Sequence, residues 1–273
     1  MILNIKCTPI SCIFASILII LLVYTAFRNY NMNTDFNVIL TSLSSDGKFD
    51  RIDDNYSITF SQQFIRNYTN NFENLFRAHW FRIIEHYISL PLESGYGSHK
   101  LALLAASILT AEHNKPVMEM GCGDHSTLLL HQLIVNEQKR FLLSTDTDRE
   151  WLSKFEKNMS SSLHQFRHIN QTSEWDNIGL DRPRWSIVFI DHKPGERRVI
   201  DIIRLANVTD IVIVHDTETS SYNYEEGLIK YPYRYRYKYL SIHTDVLSKN
   251  NATLLRNIEY LLQLTIDMKL PKL

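Results

Sequence analysis

The stretch Lys115 to Thr127, K-P-V-M-E-M-G-C-G-D-H-S-T, constrains the fold more than any other. Val117, Met118 and Met120 supply a buried strand that runs straight into a glycine turn and then a helix. Gly121 and Gly123 allow the backbone to turn tightly and to approach a ligand with no Cβ in the way. A valine at Gly121 is expected to intrude on that ligand space and to strain a backbone position of positive φ. Ser126 or Thr127 is placed to cap a helix from Leu128 to Val135. Glu119 lies two positions before the first glycine, and Ser126 stands where a dinucleotide-binding G-x-G-x-x-G would carry its third glycine. A carboxylate at that place repels a pyrophosphate and attracts a ligand that carries an ammonium group.

Downstream, strand and helix patterns alternate at the spacing of a doubly wound α/β sheet. Arg140 to Thr145 is a short apolar run that ends in Asp146-Thr147-Asp148, before a helical stretch from Glu150 to Asn158. Gln165 to Ile169 makes a weaker third strand. Trp185 to Ile190 is a buried strand ending in Asp191-His192, and Pro194-Gly195 turns the chain into a helix from Glu196 to Ala206. Asp210 to Val214 follows and ends in His215-Asp216. Ligands of open parallel sheets sit outside the carboxyl ends of the strands, so polar residues gathered there point to one site. Tyr233 to Leu240 alternates tyrosine with basic residues. That pattern suits a half-buried strand better than a base-stacking platform, with Thr244 to Ser248 as its pairing partner. A last helix, Ala252 to Met268, carries its leucines on one face.

Glu119, Gly121 and Gly123, an E-x-G-x-G at a strand end, resemble motif I of class I S-adenosylmethionine-dependent methyltransferases. The likeness covers about residues 91 to 250. It implies a Rossmann-like, mostly parallel seven-stranded sheet that closes with an antiparallel pair, and S-adenosylmethionine as cofactor. It also implies that Asp146, at the end of the second strand, binds the ribose hydroxyls. Asp148 is the close competitor for that role and reads better as a helix cap. Glu93 to Lys100 leads into the apolar helix Leu101 to Leu109, an order similar to that of small-molecule O-methyltransferases. There Gly97 and Ser98 would contact the methionine end of the cofactor. His99 and Lys100 read as exposed polar residues of a helix start.

Methyl transfer from a sulfonium needs an aligned acceptor and, for a hydroxyl, a group that helps remove its proton. Asp191, His192, His215 and Asp216 end what should be neighbouring strands and are the catalytic candidates. In metal-dependent O-methyltransferases, acids at these two positions hold a divalent ion. The resemblance therefore implies Mg or Mn on Asp191 and Asp216. Those enzymes follow the second acid with asparagine where this chain has Thr217, which leaves open a metal-free mechanism with His192 or His215 as base. The activity expected is O-methylation of a small-molecule or glycan acceptor. The alternatives are an inactive methyltransferase-like interaction module and a nicotinamide-dependent oxidoreductase.

The N-terminus sets a further expectation. Cys7 to Phe27 is a charge-free run of 21 residues, which at about 1.5 Å per residue is long enough to span a bilayer as a helix. No A-x-A cleavage site follows, so residues 1–28 read as a signal-anchor, 29–59 as a stem, and 60–273 as the domain. Apolar residues from Phe64 to Tyr87, at intervals of three and four, form an amphipathic helix that covers it. Asparagine-linked glycosylation motifs at Asn55, Asn67, Asn158, Asn170, Asn207 and Asn251 place the domain in the lumen of the endoplasmic reticulum or Golgi as a single-pass glycoprotein. Asn170 is awkward for that reading, because it falls where the adenine should sit. A net charge of −1 and a pI near 6.8 give no long-range reason to expect nucleic acid as a partner. Only Cys122 lies in the domain, so no disulfide forms within it.

Overall fold

Seven strands make the sheet: β1 (Val117–Met120), β2 (Leu142–Asp146), β3 (His164–His168), β4 (Trp185–Ile190), β5 (Thr209–His215), β6 (Tyr233–Tyr237) and β7 (Thr244–Ser248). Their order is β3-β2-β1-β4-β5-β7-β6. The first five are parallel, and β7 enters antiparallel between β5 and β6. The structure is a computed structural model and describes residues 74–181 and 184–272. The strand and helix alternation and the antiparallel pair at the C-terminus are as the sequence predicts.

β1, β4 and β5 are buried along their whole length, which is why they read as unbroken apolar runs rather than alternating ones. A helix occupies the described residues 74–87 (α1) and buries Ile83 and Ile84. It is followed by α2 (Lys100–Leu109), α4 (Arg149–Met159), α5 (Arg198–Leu205), α6 (Glu225–Leu228) and α7 (Ala252–Asp267). Between α2 and α4 lies α3, which starts as Thr127–Leu130 and widens into a π-type turn over His131–Glu137.

Side chains along a strand point alternately to the two faces, and this decides which residues meet. Met118, Met120, Val188, Ile190, Val212 and Val214 face one way, onto Ile202 and Leu205 of α5 and Leu228 of α6. Glu119 and Phe189 face the other way. There Glu119 meets Thr127 of α3, and Phe189 meets His99 just before α2. On that face α2 packs on β4 and β5 and against α7. The apolar residues of α2 are almost entirely buried, each leucine contributing about 2 kcal/mol of transfer free energy.

The sheet register then builds the site. Met120 pairs with Thr145 and with Ile190, and Ile190 pairs with Val214. One residue further on, Gly121, Asp146, Asp191 and His215 therefore stand side by side at the carboxyl edge. On β6, Arg236 forms a two-pronged pair with Asp245 opposite it on β7, and Tyr237 is fully buried. The tyrosine and arginine alternation is thus spent on the sheet itself.

Among the described residues no helix is long and apolar enough to cross a membrane. The proposed signal-anchor (1–28) and stem (29–59), with residues 60–73 of the covering helix, lie outside the described residues.

Candidate active site

The glycine loop is held by side chains from three elements. The amide of Gly121 donates to the carbonyl of Thr145 (2.8 Å), and that of Cys122 donates to Asp146 Oδ2 (2.8 Å). Trp151 Nε1 of α4 donates to the Cys122 carbonyl (2.8 Å), and the Gly123 amide donates to Thr127 Oγ1 (3.0 Å). Thr127 therefore braces the loop, and neither it nor Ser126 makes the side-chain cap expected of them.

The two glycines serve different ends. Gly121 has φ +97°, and a Cβ on it would lie 2.6–2.7 Å from the backbone of Asp191 and His192. The positive φ is as expected, and a larger residue there also collides with the exit of β4, a contact the sequence did not show. Gly123 has no such restriction, since its Cβ would meet nothing closer than Ser126 Oγ at 3.4 Å. A Cβ on Gly97 would collide with the side chain of Glu93. Glu93 accepts from Lys100 (2.6 Å) and lies 2.9 Å from His125 Nδ1, which pins the loop before α2 to the glycine loop.

Asp146 accepts one amide on each oxygen, from Cys122 on Oδ2 and from Asp148 on Oδ1 (2.8 Å). Each oxygen keeps a second lone pair. Burial raises the pKa of this carboxyl above its ordinary value. Asp148 instead caps α4, accepting from the Trp151 amide (2.9 Å). Beside Asp146 opens a cavity of about 540 Å³ between the exits of β2, β3 and β4, lined by Thr147, Ile169, Asn170, Pro194 and Tyr222 among others. Its size is that of a small-molecule site. A glycan on Asn170 would stand in it.

Glu119 does not reach this cavity. Its carboxylate is fully buried and accepts from Thr127 Oγ1 (3.0 Å) and Ser144 Oγ (2.6 Å). Ser144 in turn bonds His164 Nε2 (3.0 Å), and His164 Nδ1 bonds His131 Nδ1 (2.9 Å). Burial pushes the Glu119 pKa up to about 7 against the pull of these hydroxyl donors. The folded protein therefore holds a proton that the unfolded chain releases near pH 4.5, and stability falls as pH rises from about 4.5 to about 7. The full effect is roughly 3 kcal/mol. Glu119→Gln, which cannot ionise, should flatten that part of the stability profile in urea titrations between pH 4.5 and 8. A wild-type slope that the substitution leaves unchanged would show that Glu119 is not its source.

At the exits of β4 and β5, Arg198 of α5 organises the chain. Its Nη2 lies 2.9 Å from Asp191 Oδ1 and its Nη1 lies 3.2 Å from Asp216 Oδ2. Nε donates to the His192 carbonyl (2.8 Å), Nη2 to the Asp191 carbonyl (2.9 Å) and Nη1 to Tyr224 Oη (3.3 Å). This guanidinium fills the interval where a divalent ion shared by Asp191 and Asp216 would sit. The residues do not fit the expected Mg or Mn site on Asp191 and Asp216.

His215 is buried on the same side as His99. Its Nε2 bonds Ser98 Oγ (3.0 Å), and its Nδ1 lies 3.3 Å from both Asp191 Oδ2 and Asp216 Oδ1. Burial pulls its pKa down, and the two carboxylates outweigh this and raise it. Burial likewise opposes the charge of Asp191, and His215 and Arg198 hold its pKa below the usual carboxylate range. His99, expected to be exposed, is 3% exposed and meets His215 edge-on at 4.6 Å. Burial, then His215, push its pKa well below the ordinary value, so it is neutral.

His192 leaves the site altogether. It has the parity of Ile190 rather than of Asp191, so its ring turns to the α5 face. There it stacks on Trp175 at 4.3 Å, and its Nε2 lies 2.9 Å from the fully buried Asp201. His192 is thereby removed from the candidate bases. Arg198 and the Glu119 hydroxyl cage carried no motif. The Pro194-Gly195 turn, which returns α5 to the sheet edge, is the one cue that could have pointed to Arg198.

No family model matches this chain, and no curated protein does. Solved structures do match it in part. The O-methyltransferase from Bacillus cereus in complex with SAH shares 9% identity over 63% of this chain and 100% of that one, with a TM-score of 0.42. Human methyltransferase-like protein 13 in complex with SAH shares 14% over 62% and 92%, with a TM-score of 0.42. An rRNA methylase from Streptococcus thermophilus shares 14% over 54% and 96%, with a TM-score of 0.40. The matches include an rRNA methylase beside an O-methyltransferase, so they do not support the expectation that nucleic acid is not a partner. The expectation of a single-pass, lumenal glycoprotein is not supported either: no helix among the described residues is long and apolar enough to cross a membrane, and residues 1–28 lie outside them.

Proposed function

We propose that this chain is an S-adenosylmethionine-dependent methyltransferase that methylates a hydroxyl group. One observation carries the reading most of the way. The braced glycine loop and Asp146 are joined by the Cys122 amide beside a ligand-sized cavity, and a buried group of acids and imidazoles lies level with them on the same sheet edge. Asp146, with a free lone pair on each oxygen, suits two ribose hydroxyls. Thr147, Ile169 and Asn170 suit an adenine beyond them. Gly97 and Ser98 lie at the methionine end, next to His215.

In the reaction, an acceptor oxygen lone pair forms the new C–O bond as the S–CH3 bond breaks. The electron pair of that bond stays on sulfur, and a neutral thioether leaves. The acceptor proton must go to a group on the acceptor side. The cluster centred on His215, between Asp191 and Asp216, is where that group lies. The bound cofactor supplies the methyl group and its positive charge; the protein aligns, orients and takes the proton.

The two alternatives are weaker. Dinucleotide-binding sheets run 3-2-1-4-5-6, all parallel, whereas here an antiparallel β7 separates β5 from β6. An interaction module has no use for an open cavity of this size next to a carboxylate with unused lone pairs. Asp146→Ala, which also leaves the Cys122 and Asp148 amides without their acceptor, and Gly123→Val should each weaken binding of S-adenosylhomocysteine by tenfold or more, about 1.4 kcal/mol, in variants whose thermal melts remain cooperative. Wild-type affinity in both folded variants would place the ligand elsewhere.

A further inference from the structure

His99, Asp191 and His215 each offer one donor atom, and the three donors lie within 4.8 Å of one another. They come from three separate elements, the start of α2 and the exits of β4 and β5. Neighbours hold them in place: Phe189 lies against His99, Arg198 grips the other oxygen of Asp191, and Ser98 bonds the far nitrogen of His215.

The donors are also short of partners. Both ring nitrogens of His99 are buried with no hydrogen bond, and so is Nδ1 of His215. Leaving such a group unpaired is costly. The 3.3 Å approaches of His215 Nδ1 to Asp191 and Asp216 lack the alignment of hydrogen bonds. Ligands about 2.0–2.2 Å from one ion stand roughly that far apart. Two carboxylates, Asp191 and Asp216, lie within 3.3 Å of His215 Nδ1 here and supply oxygen beside the imidazole nitrogens.

We propose that His99, Asp191 and His215 bind a divalent first-row transition metal ion, with zinc as its representative. Two imidazole nitrogens and one carboxylate oxygen suit such an ion and do not suit magnesium, which prefers oxygen. The Ser98 bond to His215 is the outer contact that orients a ligating ring. This site shares only Asp191 with the acid pair that Arg198 fills. It deepens the methyltransferase reading and rests on it for its purpose: an ion here would polarise the acceptor hydroxyl and ease loss of its proton.

The test uses the full chain, stripped with chelator and titrated with zinc chloride by calorimetry, with retained zinc counted after desalting. Wild type should take up one tight equivalent. His99→Gln should lose affinity on the order of 100-fold. His131→Ala, which breaks the other imidazole pair, should bind as wild type does. Absence of a tight equivalent in wild type, undiminished binding by His99→Gln, or loss in His131→Ala would each overturn the site. S-adenosylhomocysteine binding is measured on the same samples without zinc. Zinc uptake without cofactor binding would sink the methyltransferase reading alone, and cofactor binding without zinc uptake would sink the metal site alone.

Discussion

Arg198→Met should destabilise the protein by roughly 2 to 3 kcal/mol, the largest stability loss expected from any single charge at the site. Removing one partner of a buried ion pair typically costs about 3 to 5 kcal/mol, because the other charge stays behind unpaired. The lower figure applies here because the side chains of Asp191 and Asp216 keep 25% and 26% of their exposure, against 5% for Arg198. Water can reach the stranded carboxylates in part. The Asp191 and His192 carbonyls also lose their donor. Urea denaturation measures the change, and adding Asp191→Asn and Asp216→Asn to the variant should restore part of it. A loss below about 0.5 kcal/mol, the level of an ordinary surface substitution, would mean that Arg198 does not hold the two strand exits together.

The second large effect concerns turnover. Asp191→Asn should lower the rate of S-adenosylhomocysteine release by about 100-fold to 10,000-fold with any hydroxyl acceptor that supports it, while cofactor affinity stays within a few-fold of wild type. Asp191 faces His215 and His99 rather than the glycine loop. Its interactions are therefore spent on the acceptor as charge develops, not on the cofactor in the ground state. Equal losses in cofactor binding and in rate would move Asp191 from the acceptor side to the cofactor side.

Much of the sheet could be read in advance because its evidence is local. Apolar runs such as Trp185 to Ile190, the glycine turn after Met120, and the acids that close β2, β4 and β5 are contiguous in the chain. Helix starts were less legible: Thr127 spends its hydroxyl on Glu119 and Gly123, and that competition depends on a fold not yet made.

The candidate site was half legible for a related reason. Adjacent residues at a strand end look equivalent in sequence, yet the pleat sends them to opposite faces. Asp191 and His215 share the face of Phe189 and Ile213, whereas His192 follows Ile190 into the Trp175 and Asp201 cluster. Counting parity from the apolar run would have separated the two histidines. His99 and Arg198 were out of reach by such counting. Each is polar at a helix start, the usual mark of a solvated residue, and only the packing of α2 and α5 onto the sheet buries them. Glu119 was found but placed wrongly in kind, since it braces the loop from beneath and does not face a ligand.

The proposed methyltransferase activity requires that the cavity beside Asp146 take S-adenosylmethionine. Calorimetric titration of the protein with S-adenosylhomocysteine, and separately with NADH, tests it most directly. Saturable binding of S-adenosylhomocysteine near one equivalent and no heat of binding with NADH are expected. No binding of S-adenosylhomocysteine by folded protein, or saturable binding of NADH in its place, would contradict it.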